Sequence, residues 1–201
     1  MQHKGMPGPS RTDGCNQMLG DIQSPVRRIP NKDIIMIGFT DIKTEAIDNV
    51  FSLIGREWML ITAGTIASYN TMTASWGGLG VLWNRNIAWC VVRPGRHTYG
   101  FLERAGSFTL SFFEEQYREA LNVCGAKSGR DIDKAKVTGL TAVGTTAGVA
   151  FSQARLIIDC RKIYFQDIDP RNFIDASIDK NYPKKDYHRM YIGEIMSCGT
   201  R

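Results

Sequence analysis

The sequence predicts a mainly β protein, an antiparallel barrel with inserted peripheral helices. Three observations carry that expectation: short β-branched and aromatic runs outnumber helical patterns, strands and helices do not alternate as βαβ units require, and no internal repeat of roughly 20 to 50 residues organises the chain. A length of 201 residues suits one domain, which buries roughly 70% of the surface its unfolded chain exposes. Hydrophobic residues at 43% and charged residues at 22% exclude a wholly disordered, collagen-like or coiled-coil chain.

Residues 1–30 are rich in Gly, Pro, Ser, Asn and Gln and show little apolar periodicity. They are expected to form a disordered tail, leaving 31–201 as the folded domain. Residues 34–39 read as a short buried strand. Behind a possible Thr44 cap, Ile47, Val50, Phe51 and Ile54 then recur at helical spacing. Residues 58–66 return to strand character, 70–80 are small and polar enough to predict a long loop, and 86–92 form another β run that ends at Arg93-Pro94-Gly95.

Thr98 is placed to cap a short helix whose Phe101, Leu102 and Ala105 face inward, with Gly106 as a left-handed stop. Residues 107–113 alternate as a strand. Tyr117, Ala120, Leu121 and Cys124 fall at helical spacing, so a second helix closed by Gly125 is expected, followed by a charged surface turn over 128–137. Residues 149–166 read as one long strand, Asp169 as an N-cap ahead of Pro170, and 187–197 as the closing strand with His188, Met190, Ile192 and Glu194 on one face.

Several function classes drop out on these grounds. The longest aliphatic run, residues 34–37, falls far short of the ~20 apolar residues of a membrane span, and no signal-peptide core opens the chain. A cytoplasmic address without membrane attachment is the expectation. Five dispersed cysteines with no C-x-x-C encode neither a zinc site nor a disulfide framework, and three histidines, one of them in the tail, rule out a His-rich metal centre; no metal ligand is assigned. Neither dinucleotide nor P-loop glycine motif occurs. The net charge of +5 is dispersed, which suits an anionic small ligand better than a nucleic-acid polymer.

Three segments carry chemistry. Asn70, Thr73 and Ser75 crowd an amide and hydroxyls beside Gly77 and Gly78, a composition that lines a planar polar ligand and equally one that ordinary loops use. Arg93, Arg96, His97 and Thr98 end a β run and open a helix, so guanidinium forks and free helix N–H groups meet where a phosphate would sit, although arginines at turns often pair with a carboxylate instead. His188 begins the last strand and can approach a ligand at the sheet edge or serve as a structural histidine.

These segments, Tyr69-Asn-Thr-Met-Thr-Ala-Ser-Trp76, Arg93-Pro-Gly-Arg-His-Thr98 and Ser107-Phe-Thr-Leu-Ser111, resemble in order and spacing the flavin reductase-like FMN-binding split barrels, the flavoredoxin branch in particular. The resemblance continues through Cys124-Gly-Ala-Lys-Ser-Gly-Arg-Asp-Ile-Asp-Lys134 and Asp186-Tyr-His-Arg-Met-Tyr-Ile-Gly-Glu194, with Asn86 and His97 departing from the usual pattern.

The resemblance implies a Greek-key antiparallel split β-barrel, usually a homodimer, that holds FMN non-covalently. By position, Asn70, Met72 and Thr73 would border the isoalloxazine, with Ala74, Ser75 and Trp76 continuing that loop. Arg93, Arg96, His97 and Thr98 would face the ribityl phosphate, and His188 would sit near the flavin or an incoming nicotinamide as the catalytic candidate. The implied activity is hydride transfer from NADH or NADPH to flavin, with electrons leaving to free flavin, a metal complex or a redox partner protein. An FMN electron carrier without its own nicotinamide site is the alternative, and a basic nucleic-acid-binding barrel the remote one.

Overall fold

A computed structural model describes residues 38–201. The predicted tail, most of the 34–39 strand and Cys15 lie outside the described residues. Seven antiparallel strands form the main sheet: β2 (Met59–Thr65), β3 (Ser68–Ala74), β4 (Gly77–Leu82), β5 (Arg85–Val92), β6 (Ser107–Phe112), β9 (Leu156–Asp167) and β10 (Arg189–Thr200), in the order β3-β2-β6-β9-β10-β5-β4. The two-residue β1 (Thr40–Asp41) pairs with the end of β10, and β7 (Ala142–Gly144) with β8 (Val149–Phe151) makes a separate ribbon.

The connection between β3 and β4 shows how this sheet must be shaped. They occupy its two edges, six strand spacings apart, which a flat sheet would separate by about 29 Å. Only Ser75 and Trp76 lie between them, a link that spans at most about 11 Å. The sheet is therefore rolled until its edges approach, and no ladder joins β3 to β4 among the described residues. The result is a barrel split at one seam, as the fold expectation required.

A core of Met59, Ile61, Leu102, Phe108, Leu110, Ile158 and Tyr191 fills the interior. A second cluster, including Leu60, Phe113, Leu121, Phe151 and Ile157, lies between the sheet and α3 (Arg118–Ala126). Four free cysteines, Cys90, Cys124, Cys160 and Cys198, are buried as small hydrophobic groups.

Several local expectations need correction. Residues 70–80 are not a long loop but most of β3 and β4, because their small polar side chains are recruited by neighbouring strands: Thr71 pairs with Thr62, and the two hydroxyls lie 2.9 Å apart. Thr44 opens only a single 3-10 turn. The helix α1 (Val50–Gly55) is capped by Asn49, whose side chain accepts from the Ser52 N–H, and this phase leaves Phe51 exposed.

Helix α2 (His97–Arg104) begins one residue before Thr98, which is thereby buried within its first turn, and Gly106 has no left-handed backbone. Gly125 lies inside α3 rather than after it. The 128–137 segment is not wholly surface, since α4 (Lys134–Thr138) buries Lys134. The run 149–166 is broken after β8, and the last strand starts at Arg189, two residues later than expected.

Gly193 in β10 stands where a Cβ would come within 2.7 Å of the Cys160 Cβ and 2.8 Å of the Phe108 ring. Both neighbours are fully buried and cannot withdraw. Gly193→Ala is expected to destabilise the protein by about 2 kcal/mol through overpacking, read as a lowered urea midpoint at an unchanged slope.

Candidate functional site

The rolled sheet brings its seam over the ends of β5 and β10. There a pocket of about 180 Å³ is lined by Met72, Thr73 and Ala74 at the end of β3, Ser75 and Trp76 of the β3–β4 link, Val91 of β5 and Arg93 just beyond it, Arg96 at the start of α2, and His188. All three predicted segments thus meet at one place. Of the predicted residues, Asn70, His97 and Thr98 stand outside this lining.

Those three support it from behind. Asn70 is buried, and its amide donates to the Thr98 hydroxyl at 2.7 Å, tying β3 to α2. The chain at Gly129 passes so close that a Cβ there would fall 1.9 Å from the Asn70 Oδ1, which makes glycine a steric requirement at that crossing. His97 packs edge-on against Phe101, and burial first, then the Arg130, Lys134 and Arg104 cations, lower its pKa from 6.5.

Helix α3 is latched behind β3 by side chains that reach its carbonyls. The Thr73 hydroxyl donates to the Leu121 carbonyl, Arg96 Nη1 to the Gly125 carbonyl at 2.8 Å, and buried Lys134 Nζ to the carbonyls of Cys124 at 2.6 Å and Thr71 at 2.8 Å. Cations at a helix C-terminus also complement its dipole. Burial lowers the Lys134 pKa and pushes that of the Cys124 thiol up to about 11. Lys134 was invisible as a site-supporting residue because only tertiary packing distinguishes it from the charged residues around it.

Arg93 lines the pocket but is committed elsewhere. Its Nη1 binds Asp186 at 2.6 Å, its Nη2 the Asn181 carbonyl at 2.8 Å, and its guanidinium lies 5.1 Å over the Tyr182 ring. It thereby fixes the segment leading into β10. The Arg93 hydrogen bond in turn lowers the Asp186 pKa. Arg96 is more exposed, with only Nη1 engaged, and stands at the N-cap position of α2 without a side-chain hydrogen bond to the helix.

His188 is only 8% exposed. Its Nδ1 lies 2.9 Å from the Tyr182 hydroxyl, and its ring is 5.2 Å from that of Trp76, which is itself 45% exposed. Burial, reinforced by Arg93, lowers its pKa from 6.5 to about 4, so the ring is neutral at pH 7. Tyr182, Asp186 and Val91 are site components that residue-type reasoning passed over. Val91 could have been found as an apolar residue at the end of the β run that precedes Arg93.

A larger groove of about 700 Å³ lies at the far end of β3 and α2, lined by Gly64, Ser68, Phe101, Arg104, Ser107 and Thr145 among others. It contains none of the predicted residues. Two of its hydroxyls are already engaged, Ser107 with the Ala147 carbonyl and Thr145 with buried Asp159. The smaller pocket, with its convergent donors, is the stronger candidate despite its size.

A sequence profile described as a flavin reductase like domain matches residues 51–201. Among solved structures the chain resembles the flavoredoxin of Methanosarcina acetivorans, with a TM-score of 0.57 and 18% identity over 80% of this chain and 76% of that one. It also resembles the flavoredoxin of Desulfovibrio vulgaris (Miyazaki F), with a TM-score of 0.57 and 20% identity over the same shares of 80% and 76%. A third likeness is to the NADH:FAD oxidoreductase SgcE6 of Streptomyces globisporus C-1027, with a TM-score of 0.54 and 14% identity over 72% and 75%. No curated protein matches the sequence.

The lowered pKa of His188 has a consequence for stability. Between pH 6.5 and about 4 the unfolded chain binds this proton while the folded one does not, so the contribution is fully present above pH 6.5 and is lost as pH falls through that window. Urea unfolding at stepped pH is expected to show that loss, and His188→Gln, which cannot titrate, to reduce it by on the order of 1 kcal/mol.

Proposed function

This chain belongs to the flavin reductase-like domain family, and from that premise we propose that it binds FMN non-covalently at the seam pocket and serves as an NADH- or NADPH-dependent flavin oxidoreductase. The single observation that supports this most is the convergence, in one pocket, of the Ser75–Trp76 link, Arg96 at the uncapped start of α2, and neutral His188. The donor set suits the cofactor: an aromatic and hydroxyl-bearing wall for a planar polar head, and a guanidinium beside helix N–H groups for a dianionic foot.

When bound, the flavin supplies hydride chemistry between a nicotinamide and a later acceptor, such as free flavin, a metal complex or a redox partner protein. The protein binds and orients. In this reading Met72, Thr73, Ala74, Ser75 and Trp76 border the ring, while Arg96 and the His97–Thr98 backbone hold the phosphate. Arg93 fixes the 181–188 segment rather than the phosphate, since both its terminal nitrogens already donate to protein oxygens. Asn70 and Thr98 set the spacing between the ring wall and the phosphate end. His188 presents an uncharged ring that excludes water and can donate one hydrogen bond.

A volume of about 180 Å³ lies below the ~300 Å³ at which ligand pockets begin, so part of a bound flavin would extend past the seam. A homodimer in which a second copy covers that part belongs to the same reading, and the exposed Trp76 and the Val81 and Trp83 side chains of the β4–β5 hairpin offer apolar surface for it. The buried free thiols suit a reducing, cytoplasmic setting.

Arg96→Ala is expected to weaken FMN binding about 10- to 100-fold, the loss of charge-assisted bonds worth ~1.5–3 kcal/mol. Lys184→Ala, a cation outside the pocket lining, should change it less than about twofold; equal effects in a fluorescence titration would remove Arg96 from the phosphate site. Anaerobic bleaching of the FMN-loaded protein by NADH or NADPH is the expected outcome of the activity test. Bleaching by dithionite alone would favour an electron carrier with no nicotinamide site, and failure to take up FMN would contradict both.

A further inference from the structure

A neutral imidazole carries one proton on one of two nitrogens, and its neighbours decide which. His188 Nδ1 lies 2.9 Å from the Tyr182 hydroxyl. Both side chains are buried, 8% and 3% exposed. Among the described residues this is the only hydrogen bond of that hydroxyl, so a phenol that must donate when buried has Nδ1 as its acceptor. Burial raises the Tyr182 pKa above its ordinary value, which keeps the phenol protonated at neutral pH. An Nδ1 that accepts leaves the ring proton on Nε2.

Tyr182 is itself held in place. Its ring stacks on Phe173 at 6.0 Å, packs against Tyr187 at 4.8 Å, and lies under the Arg93 guanidinium, which Asp186 and the Asn181 carbonyl anchor. The other charged groups acting on His188 are Arg93 and Arg96, which oppose its protonation, and Asp186, which favours it. Of the two cations, Arg93 is fixed by that same network.

We propose that Tyr182 is a positioning residue that locks His188 as the Nε2–H tautomer, so that the ring lining the pocket beside Trp76 presents one fixed hydrogen-bond donor and no acceptor from Nδ1. The role of that donor toward a flavin or nicotinamide carbonyl rests on the flavin reading. The tautomer does not.

The test is long-range ¹H–¹⁵N NMR of the full chain without flavin at pH 7, with the His188 signals assigned by loss in His188→Gln. The expected spectrum shows Nε2 protonated and Nδ1 bare and hydrogen-bonded. In Tyr182→Phe the two tautomers should mix and the His188 pKa should rise by about one unit, because a donor that favoured the neutral ring is gone. A protonated Nδ1 in the wild-type chain would overturn the proposal even if Tyr182→Phe does not fold, and so would a folded Tyr182→Phe protein with tautomer and pKa unchanged. FMN titration of the wild-type sample separates the two readings: no flavin binding by a chain whose His188 is the Nε2–H tautomer would contradict the flavin site and support the lock.

Discussion

The two-residue link between β3 and β4 is the constraint on which the rest depends. Six strand spacings separate these edges in sheet order, yet Ser75 and Trp76 alone connect them, so the sheet must roll. Rolling aligns the seam with the ends of β5 and β10 and with the start of α2. The pocket is a consequence of topology first and of side chains second. A longer connection would permit a flatter sheet and leave Trp76 and His188 without a reason to be 5.2 Å apart.

Polar anchoring then sets the shape of the seam. Thr73, Arg96 and Lys134 draw the carbonyl end of α3 against β3, and Asn70 draws α2 against the same strand. The Arg96 and Lys134 bonds also satisfy carbonyls in the last turn of α3, which have no partner within the helix. On the other side, Arg93 holds the 181–188 segment through Asp186 and Tyr182. The cations therefore differ: Arg93 and Lys134 are structural clamps, whereas Arg96 engages only one terminal nitrogen and keeps guanidinium donors free for the proposed phosphate. A neutral His188 fits the same electrostatic setting, since a second positive charge beside Arg93 is disfavoured.

Much of the sheet was legible because β2 and β5 carry near-continuous apolar runs and β6 alternates in residue type, and most of their residues are buried. The edge strands were not. Residues 70–80 carry Asn, Thr, Ser and Gly, whose local preference is for turns, and only pairing with β2 and β5 makes them strands. The candidate site was recognised as a set of segments, while the division of labour inside it was hidden. Nothing local distinguishes Arg93 from Arg96, yet one meets Asp186 and the other a helix start. Lys134 reads as one of many surface charges until its burial between Thr71 and Cys124 is seen.

The seam pocket, and not the larger groove at the opposite end of β3, is the proposed flavin site. A crystal structure of the protein grown with FMN tests it most directly. The ring should lie against Ser75 and Trp76 with its phosphate at Arg96 and the first N–H groups of α2. Flavin density in the groove beside Arg104 and Ser107, or none at the seam in saturating FMN, would contradict it.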